Sequence, residues 1–263
     1  MFDTVEATRF DRLMSVGRTK PMLLACERQD GNEVEVIAKF STGCSIGGLI
    51  REAMTAMLAR DIGLPVPEPF LVSISNEFID SVQDVPTATN LRNGSRFGFG
   101  SCKLPNGFAP WIVPAGHMTS NLDTEALDIL AFDCWTTNPD RRTSNHNLLT
   151  DGNGFAIIDH ELALMTSLNL FWKEPWIPDA LLGTQPPVDH VFYSHIRGRA
   201  SYNLTRMNQS LALLTDGRIH EYAEAIPPEW SAHDDTAIRA EAYIIQLRDN
   251  ATQAIHELTR ALT

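Results

Sequence analysis

The chain has 263 residues, 43% of them hydrophobic and 21% charged, with a formal net charge of -12 at pH 7. That content is enough for a sizeable core and excludes a disordered chain, and the acidic balance argues against nucleic acid or an anionic membrane as main partner. Crossing a bilayer as a helix takes about 20 consecutive apolar residues, and no such run is present.

The first residues, Met1 to Glu6, show no basic stretch leading into an apolar one. Cys26, Cys44, Cys102 and Cys134 lie far apart, without a CxxC pair. This spacing suits reduced thiols better than a disulfide framework or a zinc site, so a cytoplasmic protein is expected.

In chain order, the first hundred residues predict strands around one helix. Pro21 to Glu27 is short and apolar, and Asp30-Gly31 signals a hairpin. In Glu33 to Phe40, Val34, Val36 and Ala38 alternate with Glu35, Ile37 and Lys39, the period of a strand with two unlike faces. The glycine-bearing link 41–48 leads into a helix in which Ile50, Met54, Met57 and Leu58 recur at helical spacing, and Gly63 with Pro65 stops it. Phe70 to Ile74 and Phe97 to Lys103 read as further strands. Residues 76–96 are polar and give no clear pattern. Residues 106–120 carry several prolines and glycines and suit a connection.

Beyond them a helix is predicted from near Asp123, apolar on most sides through Leu127, Ile129, Leu130, Ala131, Phe132, Cys134 and Trp135. A polar loop, 138–147, precedes a short hairpin turning at 151–154 and ending on Ile157-Ile158-Asp159. Residues 166–233 predict short helices and loops. A long C-terminal helix is expected from the spacing of Ala251, Ile255, Leu258 and Leu262.

The stretch 138–161 carries the chemistry. Phosphoryl transfer needs a carboxylate to orient the acceptor hydroxyl and hard oxygen ligands for magnesium on the phosphates. Kinases supply these from an Asp, an Asn five positions later, and a second Asp beyond a short hairpin. Asp140, Asn145 and Asp159 have that order. Lys39 late in its strand and Glu52 in the next helix fit the lysine that meets phosphates and the glutamate that holds it. Each also has a plainer reading: Asp140 as a turn residue, Asp159 as cap of a helix from His160, Asn145 as a loop hydrogen-bonder with Asn147 as rival, Lys39 and Glu52 as solvated charges. A metal-dependent hydrolase using His146, Asp159 and His160 lacks the tight histidine spacing such sites show.

Asn138-Pro139-Asp140-Arg141 with Asn145, Ile158-Asp159-His160, and the helix-ending Gly63-Leu64-Pro65-Val66-Pro67 together resemble the HipA-like kinases and, more distantly, the type II phosphatidylinositol 4-kinases. The matching motifs lie between about residues 10 and 165. The resemblance implies an α+β, two-lobed protein-kinase-like fold. Its strand-rich, nucleotide-binding lobe would span 1–105, and its mainly helical lobe, with catalytic loop and metal site, 106–263. It implies ATP and Mg2+ as cofactors, Asp140 as catalytic residue, Asn145 and Asp159 as metal ligands, and Lys39 and Glu52 at the nucleotide. There is no GxGxxG loop; Gly17 and Arg18, in the turn before Pro21, are the candidates for covering the phosphates, against the plainer reading of a hairpin turn. The expected acceptor is a protein serine or threonine hydroxyl. A small-molecule or lipid-headgroup kinase and a non-catalytic kinase-fold module are the alternatives.

Overall fold

A computed structural model describes residues 2–15, 17–112, 119–165, 172–183, 187–232 and 234–263. Five strands, β1 (Asp3–Leu13), β2 (Met22–Glu27), β3 (Glu33–Lys39), β4 (Pro69–Ser73) and β5 (Phe97–Cys102), close a barrel in the order β1-β2-β3-β5-β4. All pairs are antiparallel except β1 with β4. The β2–β3 hairpin turns where Asp30-Gly31 predicts it, with Gly31 at φ 82° and Arg28 N–H donating to Asn32 O at 2.9 Å. The barrel is narrow. A Cβ on Gly100 would lie 2.4 Å from Val36 Cγ1 and 2.6 Å from Val72 Cγ2, which leaves glycine as the residue that fits there.

Inside the barrel, Val5, Leu24, Cys26, Val36, Ala38, Phe70 and Val72 form a buried cluster. The period-two alternation of β3 turns Val36 and Ala38 inward, so the neighbouring Lys39 points out of the barrel. It faces α1 (Ile46–Asp61), whose N-cap Ser45 accepts from Gly48 N–H at 3.0 Å. The sequence predicts one helix in this part, whereas α2 (Asn76–Ser81) and α3 (Val85–Asn93) also form. Each starts at a side-chain cap, Ser75 and Asp84, and their Phe78, Ile79, Ala88 and Leu91 join the barrel cluster. Only a few buried positions on short polar helices explain why no periodicity showed.

The β6–β7–β8 sheet joins Ala109–Pro110, Leu148–Thr150 and Phe155–Ile157. It packs with α4 (Ser120–Trp135) beside α5 (Tyr193–Ile196), α6 (Thr205–Ala212), α7 (Asp216–Glu224), α8 (Pro228–Ser231), α9 (Thr236–Asp249) and α10 (Ala251–Leu262). The expected long C-terminal helix is two helices. They break at Asn250, whose N–H bonds back to Gln246 O and Leu247 O. A second buried cluster runs through α1, α4 and these helices, with Leu71, Phe97 and Phe99 of the barrel packed against it. Among the described residues, no helix is long and apolar enough to cross a membrane.

Candidate active site

Lys39 stands where the barrel, α1 and the β8 end meet. Its Nζ lies 2.8 Å from Glu52 Oε2, 2.6 Å from Asp159 Oδ1 and 3.6 Å from Glu161 Oε2. Lys39 and Glu52 are buried, not solvated. Burial favours the neutral amine, but the Glu52 and Asp159 carboxylates outweigh it and hold the Lys39 pKa above the ordinary lysine value. Burial likewise opposes ionisation of Glu52, and the charge of Lys39 with the hydrogen bond of His160 overrides it, so Glu52 sits below the usual carboxylate range. Asp159 goes the other way: burial first, then the Glu52 charge, push its carboxyl up. Glu161 is pushed up as well, chiefly by burial.

Thus one ammonium serves three carboxylates, Glu52, Asp159 and Glu161, whose oxygens gather within 4.8 Å. Lys39 bonds Glu52 and Asp159, and one positive charge cannot neutralise all three carboxylates. That imbalance, made of hard oxygen donors, fits a divalent cation such as magnesium. Glu161 has no place in the sequence motif. Its signal was position alone, two residues after Asp159. Its carbonyl accepts from Arg51 Nε at 2.7 Å, and its Oε2 accepts from Cys44 Sγ at 3.3 Å. Asp159 caps no helix, because turns follow it, and its φ of 62° lies in the left-handed region, which side chains other than glycine adopt at a cost.

The polar loop holds the second centre. Asp140 Oδ2 accepts from Asn145 Nδ2 at 2.8 Å and from Asn147 Nδ2 at 3.0 Å, and Oδ1 accepts from Arg142 Nη2 at 3.2 Å. Asn145 and Asn147, rivals in sequence, both orient Asp140. Asn145 is exposed, while Asn147 is half-buried at φ 45°. His146 places its two ring nitrogens 2.6 Å from Trp111 O and 2.9 Å from Thr143 O, which occupies it away from any ligand set with Asp159 and His160.

Beneath the loop lies a buried network that the sequence reading left out. Asp133, on the last turn of α4, accepts from Arg141 Nε at 2.6 Å and from Asn138 Nδ2 at 2.9 Å, and His190 Nε2 lies 2.9 Å from it. Asp133, Arg141 and His190 are all buried. Gly17 and Arg18 are exposed, in the turn between β1 and β2. That turn rests on the β3–α1 link. A Cβ on Gly43 would lie 2.1 Å from Thr19 O, so the two backbones touch.

A lysine–glutamate pair on strand and helix, an acid after a hairpin and an Asp–Asn loop agree with the comparison of the whole sequence with family models. The model of the HipA-like kinases matches residues 8–257. The chain belongs to the HipA-like kinase family. The match runs through the C-terminal helices, well past the residues that carry recognisable motifs. The crystal structure of the Helicobacter pylori proinflammatory kinase CtkA is similar, with a TM-score of 0.53 and 11% identity, covering 98% of this chain and 100% of that one. At that identity the likeness supports the mixed helix-and-strand kinase fold and nothing finer. No curated protein matched the sequence.

Proposed function

We propose that this HipA-like kinase transfers the γ-phosphate of ATP, with magnesium, to a hydroxyl, and that the acceptor is a protein serine or threonine. The observation that carries the reading is the meeting of Lys39, Glu52 and Asp159, which are far apart in sequence, at 2.8 and 2.6 Å. In this reading residues 1–105 form the nucleotide lobe and 106–263 the lobe with catalytic loop and metal site, the cleft running between them. Lys39, held by Glu52, meets the phosphates, and the Gly17–Arg18 turn lies over them. Asp159 and Asn145 hold the metal, with Glu161 beside them. Bound magnesium supplies charge neutralisation at the phosphate oxygens.

Asp140 orients the acceptor and takes its proton. The acceptor oxygen forms a bond to the γ-phosphorus as the bond to the β–γ bridging oxygen breaks, and ADP leaves. Hydrogen bonds from Asn145, Asn147 and Arg142 fix the Asp140 carboxylate for this.

The test is a parallel measurement of nucleotide affinity and phosphate transfer, with autophosphorylation as readout where no acceptor is known. Asp140→Asn should change nucleotide affinity by less than about tenfold while transfer falls by orders of magnitude, because its contact tightens in the transition state. Asp159→Asn should remove most of the magnesium-dependent stabilisation by ATP. Near-normal transfer by Asp140→Asn would refute the assigned catalytic loop.

A further inference from the structure

Asp133 touches neither the Lys39 cluster nor Asp140, yet its contacts lead to both. Its side chain is fully buried, with Arg141 Nε on Oδ2 at 2.6 Å and Arg141 Nη2 on Oδ1 at 3.4 Å. Asn138 Nδ2 donates to Oδ1 at 2.9 Å, and His190 Nε2 sits at 2.9 Å from Oδ2. Burial works against the charge of Asp133, but Arg141 and His190 outweigh it and hold the carboxyl well below the usual range. His190 is neutral: burial keeps its pKa below the ordinary value, and its Nδ1 accepts from Phe192 N–H at 3.2 Å, which leaves Nε2–H to donate to Asp133.

Each partner passes the restraint on. Asn138 Oδ1 accepts from Asp140 N–H at 3.1 Å. Arg141 Nη1 donates to Asn147 O, and to Ile158 O at 3.3 Å, the carbonyl just before Asp159. Asn147 in turn orients Asp140. His190 belongs to a different stretch, which docks on the loop: Val191 N–H donates to Arg141 O at 3.0 Å, and His190 bridges to Arg142.

We infer that Asp133 is a positioning residue for phosphoryl transfer, and that His190 makes the loop geometry depend on docking of the 187–192 stretch. The inference rests on the kinase reading above. It explains why an ion pair is buried here at all. A buried pair often stabilises no better than apolar residues of equal volume, and this one fixes a geometry. Here that geometry sets the loop at both ends, together with the backbone leading into Asp159.

The experiment uses the full chain and compares wild type, His190→Phe, Asp133→Asn, the double variant and Asp140→Asn. Readouts are transfer rate, KM for ATP, melting temperature and hydrogen exchange along the chain. His190→Phe keeps an aromatic ring, somewhat larger than the imidazole, and removes both hydrogen bonds. It should lower the transfer rate by about tenfold or more with KM within about threefold. Exchange should quicken in 138–147 and stay unchanged in β2 and β3. The double variant should transfer no more slowly than Asp133→Asn alone, since both cut one tether. Should Asp133→Asn fail to fold, the rate, KM and exchange of His190→Phe decide. Unchanged rate and unchanged loop protection in His190→Phe would overturn the inference. So would a loss shared equally by affinity and exchange throughout the molecule, the mark of a merely structural role. If Asp140→Asn transfers as well as wild type, the assigned catalytic loop fails, and loop exchange alone then decides: quickening confined to 138–147 upholds the tether, and unchanged protection removes it.

Discussion

Single side chains in this molecule are decided by who compensates their charge. Lys39 is buried against Glu52 and Asp159, and its role in stability follows from that. Lys39→Met leaves Glu52 without its cation in a dry site, which costs about 3 kcal/mol or more. Adding Glu52→Gln removes the stranded charge and should restore a large part of the loss. Urea denaturation of the single and double variants measures this, and a double variant less stable than Lys39→Met would contradict the pairing. His190 gives a pH dependence. An unfolded histidine takes its proton near about pH 6.5, whereas burial keeps folded His190 from doing so until lower pH. Below about pH 6.5 the unfolded chain therefore binds more protons, so the stability that His190 contributes is full above that pH and falls as the solution is acidified. His220, raised by its hydrogen bond to Glu241, acts in the opposite sense, its share present in acid and lost as pH rises. Melting curves between pH 7.5 and 5.5 should fall more steeply for wild type than for His190→Gln. Parallel slopes would show that His190 takes its proton as readily in the folded chain as in the unfolded one.

At the scale of elements, the site depends on where backbones touch. The β1–β2 turn with Gly17 and Arg18 is held against the β3–α1 link at Gly43, where a Cβ would meet Thr19 O at 2.1 Å. A carbonyl in a tight turn cannot move aside cheaply, so Gly43→Ala must displace the turn. In the proposed reading nucleotide affinity then drops by about tenfold or more, while the buried Lys39–Glu52 pair stays intact. Isothermal titration with ATP and magnesium measures it, and unchanged affinity would mean that this turn does not cover the phosphates. Much of this level was legible in the sequence. The period of two in β3 gave Lys39 its outward face, and the order of Lys39, Glu52, Asp140, Asn145 and Asp159 follows the path of the chain through the fold. Two things were not legible. The helices between 76 and 93 bury too few residues to show a period. The Asp133–Arg141–His190 network joins positions up to 57 residues apart, and no local pattern encodes such a contact. One trace of it was present: an aspartate inside a helix apolar on nearly every side needs buried partners.

The whole molecule raises the question whether barrel and helices behave as separate units. The barrel has its own buried cluster, which alone would permit independent melting. Yet α1, which supplies Glu52, belongs to the other cluster and is buried along most of its length, with Leu71, Phe97 and Phe99 of the barrel packed on the same core. Further ties cross between the two parts. Trp230 Nε1 donates to Ser95 Oγ at 2.9 Å, and Glu229 accepts from Arg96 N–H at 3.1 Å. Neither part can unfold without exposing the apolar face it presents to α1 and stranding the Lys39 cluster. Burial at that interface is worth about 25 cal/mol per Å2 of apolar surface, so coupling of even a few hundred Å2 exceeds the difference in stability that separate melting would require. Calorimetry of the full chain should therefore show one transition, with calorimetric and van't Hoff enthalpies in agreement. ATP with magnesium should move that single transition upward as a whole. Two resolved transitions, with only one of them responding to nucleotide, would show that α1 does not couple the barrel to the helices, and that the Lys39–Glu52 pair can be lost while the rest of the molecule stays folded.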